Sequence, residues 1–365
     1  MVDSRIEKLA KLSVHYSVDV KPKEKVLIQG NVQAFPLMHE IYKECLLSDA
    51  YPFIMPQLDT AYTFFKCAKE HQLTYVSPFD KFLIENIDVR ITVFCEPNPK
   101  RLTNIDPART RIFAAARNEI SAIFYKRVAE GKLKWTALPY PINAQAQEAA
   151  MALEEYEDFV YGSCLVDKEN PIAEWKKIHK QQEKICDFLN KTSEIHIVGE
   201  DTHLTFNVKG RRWINCGGKE NMPDGEVFTA PVENSVNSTI RFTFPGLVFG
   251  REVEDIRLTF KEGKVVKASA EKGDELLQQV NKIEGADRVG EAAIGTNYAI
   301  TKFTKNMLFD EKMGGTIHMA LGNSYPESGG LNKSPIHWDI LKDMKKDGEI
   351  YADGKLFYKN GKFLI

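Results

Sequence analysis

The order of strand and helix signals changes near residue 200, and this constrains the fold more than any single motif. Before that point, short apolar runs alternate with helical stripes. KVLIQG (25–30), YPFIMPQ (51–57), VRITVFC (89–95) and KWTALPYP (134–141) read as strands. Residues 1 to about 14 carry Ile6, Leu9, Leu12 and Val14 at helical spacing, and Pro36 through Leu47 repeats that period. Asp106-Pro107 pairs a capping side chain with a proline tolerated in a first helical turn, so a helix is expected from there to about Glu130. Asn170-Pro171 repeats the signal, and Ile172, Trp175, Ile178, Ile185 and Leu189 carry a stripe to Asn190, before IHIVG (195–199). Strands alternating with helices imply βαβ units and a mostly parallel sheet.

After residue 200 the period falls to two. HLTFNVKG (203–210) places Leu204, Phe206 and Val208 on one face, and EVFTAP, STIRFTF, EDIRLTFKEGKVVKASA and GEIYADGKLFYKNGKFLI are strand-rich, with Glu-Gly, Asp-Gly and Asn-Gly hairpin signals. Helices interrupt at Asp274 to about Val280 and, by expectation, around Ala286 to Ala293. The predicted organisation is an α/β domain over 1–200 and an α+β, largely antiparallel domain over 201–365, the usual division for 365 residues.

Composition excludes several classes. The formal net charge is −2 with Lys and Arg dispersed, which gives no nucleic-acid footprint or membrane-binding stripe. No apolar run reaches the length of a membrane span, and MVDSRIEKLAKLSV is amphipathic and charged, unlike a signal peptide. Six cysteines stand singly without a Cys-x-x-Cys pair; most have apolar neighbours, which fits buried thiols in a reducing cytoplasm. GNVQAFP after the first strand contains Gly30 but no second or third glycine, which argues against a dinucleotide fingerprint.

Chemistry concentrates in GGTIHMALGNSYPESGGLNKSPIHWDI, Gly314 to Ile340. If Pro335 to Leu341 is extended, alternation turns His337 and Asp339 to one face and Trp338 to the other. Imidazole and carboxylate on one strand make half of a metal site, although histidines hydrogen-bonded in a core would give the same spacing. Glu226 follows Pro223-Asp224-Gly225 and reads by itself as a solvated carboxylate at a strand start. Glu291 lies among Gly290, Ala292 and Ala293, where an uncompensated charge would be costly. Tyr325 by itself reads as a packed aromatic, and Asp310 and Glu311 in LFDEK equally as groups supporting the ligands or holding a substrate amine and as an exposed acidic turn.

Six blocks in order, NMPDGEVFTAPVENSVNSTI (221–240), KEGKVVKASAEKGDE (261–275), VGEAAIG (289–295), LFDEK (308–312), HMALGNSY (318–325) and HWD (337–339), resemble the thermophilic-type metallo-aminopeptidases of peptidase family M29. The resemblance implies two cocatalytic divalent ions, zinc or cobalt with manganese a further candidate. It also implies a ligand set of Glu226, Glu291, His318, Tyr325, His337 and Asp339. Either Asp339 or Glu291 would bridge the ions, Tyr325 doubles as a candidate catalytic residue, and Glu311 is the candidate general base. The implied activity is release of N-terminal residues from short peptides by a metal-activated water. The implied assembly is a homodimer whose second domains meet and enclose the active sites in a chamber. The loop between Tyr325 and His337 is shorter than in longer family members, which bears on substrate preference. The alternatives are a non-catalytic α/β binding protein with structural histidines and a phosphate-ester hydrolase. The latter would want a basic or glycine-rich phosphate cradle of the Walker type, which is missing from the sequence.

Overall fold

A computed structural model describes residues 3–365. The chain forms two compact units, Met1–Ile172 with Gly218–Pro223, and Ala173–Gly217 with Asp224–Ile365. Relative to a division at 200/201, the second unit also takes in 173–200, and the first takes back 218–223.

The first unit is built on four parallel strands, β1 Lys25–Asn31, β2 Tyr51–Gln57, β3 Val89–Phe94 and β4 Lys134–Pro139, in the order β2-β1-β3-β4. Val26, Leu27 and Ile28 of central β1 are buried, and the helix Phe35–Leu47 packs on β1 and β2. Gly30 is set by that packing: a Cβ there would lie 2.9 Å from the Val93 carbonyl oxygen and 3.1 Å from Met38 Sδ. Edge strand β2 resists further pairing. Tyr51 N donates inward to Glu24 O, so period two turns the amides of 52, 54 and 56 outward, and Pro52 and Pro56 have none to offer. The segment 218–223 lies beside β4, with Met222 N donating to Ala137 O at 2.9 Å.

Two expectations need correction. The helix foreseen from Pro107 to about Glu130 is two helices, Pro107–Ala116 and Asn118–Ala129, because Arg117 leaves the helical region at φ −92°, ψ 3°. The region 286–293 is not helical: Val289–Gly295 is a strand buried at every position. A run of small apolar residues lacks the period-two contrast of a half-exposed strand, so helix and strand look alike in sequence.

The second unit contains β5 Glu194–Gly199, β6 Thr202–Asn207, β7 Ile214–Cys216, β8 Glu226–Thr229, β9 Asn237–Arg241, β10 Gly246–Val248, β11 Arg251–Val253, β12 Arg257–Lys261, β13 Lys264–Ser269, β14 Val289–Gly295, β15 Thr316–Gly322, β16 His337–Asp343, β17 Glu349–Ala352, β18 Lys355–Lys359 and β19 Lys362–Phe363. They form an eight-stranded antiparallel sheet, β13-β12-β9-β6-β5-β17-β18-β19, a five-stranded antiparallel sheet, β16-β15-β14-β8-β7, and the pair β10-β11. One apolar core joins the two large sheets. It includes Ile195, Leu204, Phe206 and Ile350 from the first, and Val227, Ile294, Ile317, Met319, Trp338 and Ile340 from the second. Ile185 and Leu189 of the helix Pro171–Leu189 belong to the same core. Among the described residues no helix is long and apolar enough to cross a membrane.

Candidate metal centre

Parity along the five-stranded sheet decides what faces the core and what does not. Ala292, Ile294, Ile317, Met319, Trp338 and Ile340 point into the apolar core. The alternate positions form the opposite face, where the register sets Glu226 opposite Gly295, Ala293 opposite His318, Ala320 between Glu291 and Asp339, and Gly322 opposite His337. The positions between the donors are therefore Ala293, Gly295, Ala320 and Gly322, a floor too short to fill the space the longer side chains enclose.

One local irregularity is required for this arrangement. Val289 and Glu291 are two apart and should share a face, yet Val289 is in the core. The register shifts between them, with Val289 opposite Leu321 and Glu291 opposite Ala320. The extra residue is Gly290, where a Cβ would lie 2.3 Å from the Asn323 carbonyl oxygen. A bulge of this kind re-aims the residue that follows it. Gly225, at φ +121° with Asn297 Cβ 2.6 Å from where its own Cβ would be, does the equivalent work before Glu226.

The expected donors converge. His318 Nε2 lies 3.1 Å from Glu291 Oε1, 3.4 Å from Glu226 Oε2 and 3.9 Å from Asp339 Oδ1. His337 Nε2 lies 3.6 Å from Glu291 Oε2 and 3.3 Å from Asp339 Oδ1. Two groups follow, Glu226/Glu291/His318 and Glu291/His337/Asp339, each with donor atoms within 4.8 Å of one another. Glu291 is common to both, presenting one oxygen to each imidazole. His337 Nδ1 donates to the Asn323 carbonyl at 2.8 Å, which turns Nε2 toward the carboxylates.

Glu226, reading from sequence as solvated, is only 7% exposed. Burial pushes its carboxyl well above the usual range against the pull of Lys312, and burial raises Glu291 as well. Burial works to raise Asp339, but the hydrogen bond and charge of His337 outweigh it and hold the group down to about 2. Burial likewise works to lower the imidazoles. The hydrogen bond to Glu291 and the charges of Glu226 and Asp339 push His318 up to about 10, and Asp339 and Glu291 push His337 up to about 9. The buried carboxylates thus draw protons onto both imidazoles as substitute counter-charges. Glu226 Oε2 is buried without a hydrogen-bond donor. Acceptors left in this way cost on the order of 1–3 kcal/mol each or more when charged. Cations placed among three carboxylates and two imidazoles would remove that cost, so the donor set fits hard or borderline divalent ions.

Tyr325 follows β15, with its ring centroid 4.9 Å from His337 and 5.7 Å from Phe228. Burial raises its phenol, as do the charges of Glu291 and Asp339, so the hydroxyl lies within the field of the centre although the residue is 40% exposed. The two acids of LFDEK separate. Asp310 is fully buried and caps its own loop, accepting from Thr304 N at 2.7 Å and Thr304 Oγ1 at 2.9 Å. Glu311 pairs with Lys312, whose Nζ also lies 3.7 Å from Glu226 Oε1.

Sequence reasoning missed Lys312, Cys216 and Asp224. Lys312 is a fully buried lysine whose Nζ pairs with Glu311 and lies 3.7 Å from Glu226 Oε1. Cys216, on β7 opposite Glu226, forms a third group of donor atoms with Asp224 and Glu226. The only sequence signal was a lysine directly after two acids, which reads as a solvated charge run.

The molecule is similar to several known proteins. Aminopeptidase 2 of Geobacillus stearothermophilus is 27% identical over 397 aligned residues, covering 97% of this chain and 95% of that protein. Aminopeptidase T of Thermus thermophilus is 29% identical over 294 residues, 70% of this chain and 71% of its own. The structure titled wild-type AmpT from Thermus thermophilus shares the fold, with a TM-score of 0.85 at 23% sequence identity over 99% of both chains. The family described as thermophilic metalloprotease (M29) matches residues 2–363, and the chain therefore belongs to the M29 metalloproteases.

Proposed function

We propose that the centre on the five-stranded sheet holds two divalent ions and that the protein removes N-terminal residues from short peptides. The enzyme is a metallo-aminopeptidase, an exopeptidase of its family. Glu226, Glu291 and His318 would hold one ion and Glu291, His337 and Asp339 the other, with Tyr325 a further donor beside His337. The observation that carries this reading is the sharing of Glu291, whose two oxygens face different imidazoles in two overlapping groups. Bound dications make hydroxide available near neutral pH, polarise the scissile carbonyl and accept a free α-amine, the feature that separates trimming from internal cleavage.

The side chains divide the remaining work. Three carboxylates, Glu226, Glu291 and Asp339, offset most of the charge of two dications, while the imidazoles act as neutral donors. The Asn323 carbonyl fixes the His337 tautomer for that role. Glu311 is a carboxylate near the centre outside both overlapping groups, and it serves as general base, moving the proton of the attacking water to the departing amine. Zinc or cobalt suits the mixed imidazole and carboxylate set, with manganese a further candidate. Six free cysteines fit a cytoplasmic enzyme, and the family resemblance favours a homodimer.

The test joins elemental analysis to hydrolysis of aminoacyl p-nitroanilides. Chelation should abolish turnover and zinc, cobalt or manganese should restore it. His337→Ala should lower metal content while the circular dichroism spectrum stays that of the parent. Full activity in metal-free protein would overturn the reading.

A further inference from the structure

Among the described residues, three groups of donor atoms stand in a row at the centre. Cys216/Asp224/Glu226 adjoins Glu226/Glu291/His318, which adjoins Glu291/His337/Asp339; Glu226 joins the first to the second, and Glu291 the second to the third. Cys216 and Glu226 face each other across β7 and β8, so the row follows the strand order toward the sheet edge. A donor set of one thiol and two carboxylates could itself bind a divalent ion.

A cation of another kind stands beside that group. Lys312 is 0% exposed, its Nζ pairs with Glu311 and lies 3.7 Å from Glu226 Oε1, and its charge also acts on Asp224 and Cys216. Glu226 is thereby divided: Oε1 turns to the ammonium, and Oε2 is left without a donor, 3.4 Å from His318 Nε2. Charge counting agrees with this division. Asp224, Glu226, Glu291, Glu311 and Asp339 carry five negative charges and Lys312 one positive, leaving four, the number that two dications supply.

We propose that Lys312 is a positioning residue, a built-in monovalent cation that stands beside the Cys216/Asp224/Glu226 group, restricts the centre to two divalent ions and turns Glu226 Oε2 toward the His318 side. The inference rests on the two-ion reading above. Removing the ammonium opens the Cys216/Asp224/Glu226 group. The negative charge it leaves then draws in a third ion.

The experiment loads parent protein, Lys312→Met and Lys312→Ala with Co²⁺, counts cobalt by elemental analysis and records the near-ultraviolet spectrum. Methionine preserves most of the volume and ends one atom short of the ammonium position, so it serves if the alanine variant does not fold. The parent should hold two ions without a thiolate-to-cobalt charge-transfer band. Either variant should hold three and show the band, and adding Cys216→Ser should remove it and return the count to two. A folded Lys312 variant that stays at two ions with no band overturns the proposal while leaving the two-ion centre intact. A parent that binds fewer than two ions overturns the reading beneath it.

Discussion

Loading the centre should expel protons, and the structure sets how many. His318 is pushed up to about 10 and His337 up to about 9 by the surrounding carboxylates, from an ordinary value of 6.5. Both side chains are largely buried, at 1% and 21% exposed, so solvent screens these interactions weakly. At pH 7 both imidazoles carry a proton in the metal-free protein, and each must lose it before Nε2 can donate to an ion. Discharging them spans three pH units for one and two for the other. At about 1.4 kcal/mol per unit this is a penalty of roughly 7 kcal/mol on binding at pH 7.

Apparent affinity should therefore rise steeply, by up to about 100-fold per pH unit between 7 and 9, then by about tenfold to pH 10, and flatten above that. Titration calorimetry in buffers of unlike ionisation heat measures the released protons directly, and the two imidazoles should contribute about two per filled centre at pH 7, besides any from the raised Glu226 carboxyl. Stability follows with a definite sign. A raised imidazole stabilises the metal-free fold fully below 6.5 and loses that contribution as pH climbs through its folded value. The metal-free protein should melt at progressively lower temperature from pH 7 to 10, while the loaded protein should not follow it. Release of less than one proton, with affinity level between pH 7 and 9, would refute the electrostatic picture of the centre.

Two further outcomes follow from individual side chains. Glu311→Gln should lower kcat by roughly 10²- to 10⁴-fold, with metal content and KM little changed, because the carboxylate acts on a proton and lies outside the two overlapping groups; steady-state kinetics beside elemental analysis checks this. Gly290→Ala should lower both thermal stability and bound metal, since its methyl would meet the carbonyl oxygens of Asn323 and Gly322 at 2.3 and 2.4 Å; a variant with parental Tm and metal content would show that the bulge tolerates a side chain.

Much of this molecule could be read from the chain, for identifiable reasons. The parallel sheet announced itself because β1 and β3 are short apolar runs with helical stretches between and after them, and Asp106 caps the helix after β3 by accepting from Ala108 N. His337 and Asp339 could be paired from spacing alone, since strand period two holds through β16, and Trp338 goes to the core as that period requires. Lys312 was illegible because a lysine after two acids looks the same in sequence whether it is solvated or fully enclosed. Glu226 failed likewise: its turn signal was real, but the turn at Gly225 leads into the interior. The break at Arg117 has no glycine or proline to mark it.

The bridging carboxylate illustrates the deeper limit. From sequence, Asp339 and Glu291 were equal candidates, because the resemblance implies both as ligands and nothing local ranks them. Strand order places them differently. In β16-β15-β14-β8-β7, Asp339 shares β16 with His337 at the edge, while Glu291 on β14 lies between the strand that bears Glu226 and the strand that bears His318. A side chain at the edge has donors on one side only, whereas one on β14 can give an oxygen to each group. That central position would have been wasted without Gly290, since the unbroken period that sends Val289 into the core would send Glu291 there too. The property that makes Glu291 the shared donor thus depends on which strands are neighbours and on one inserted residue.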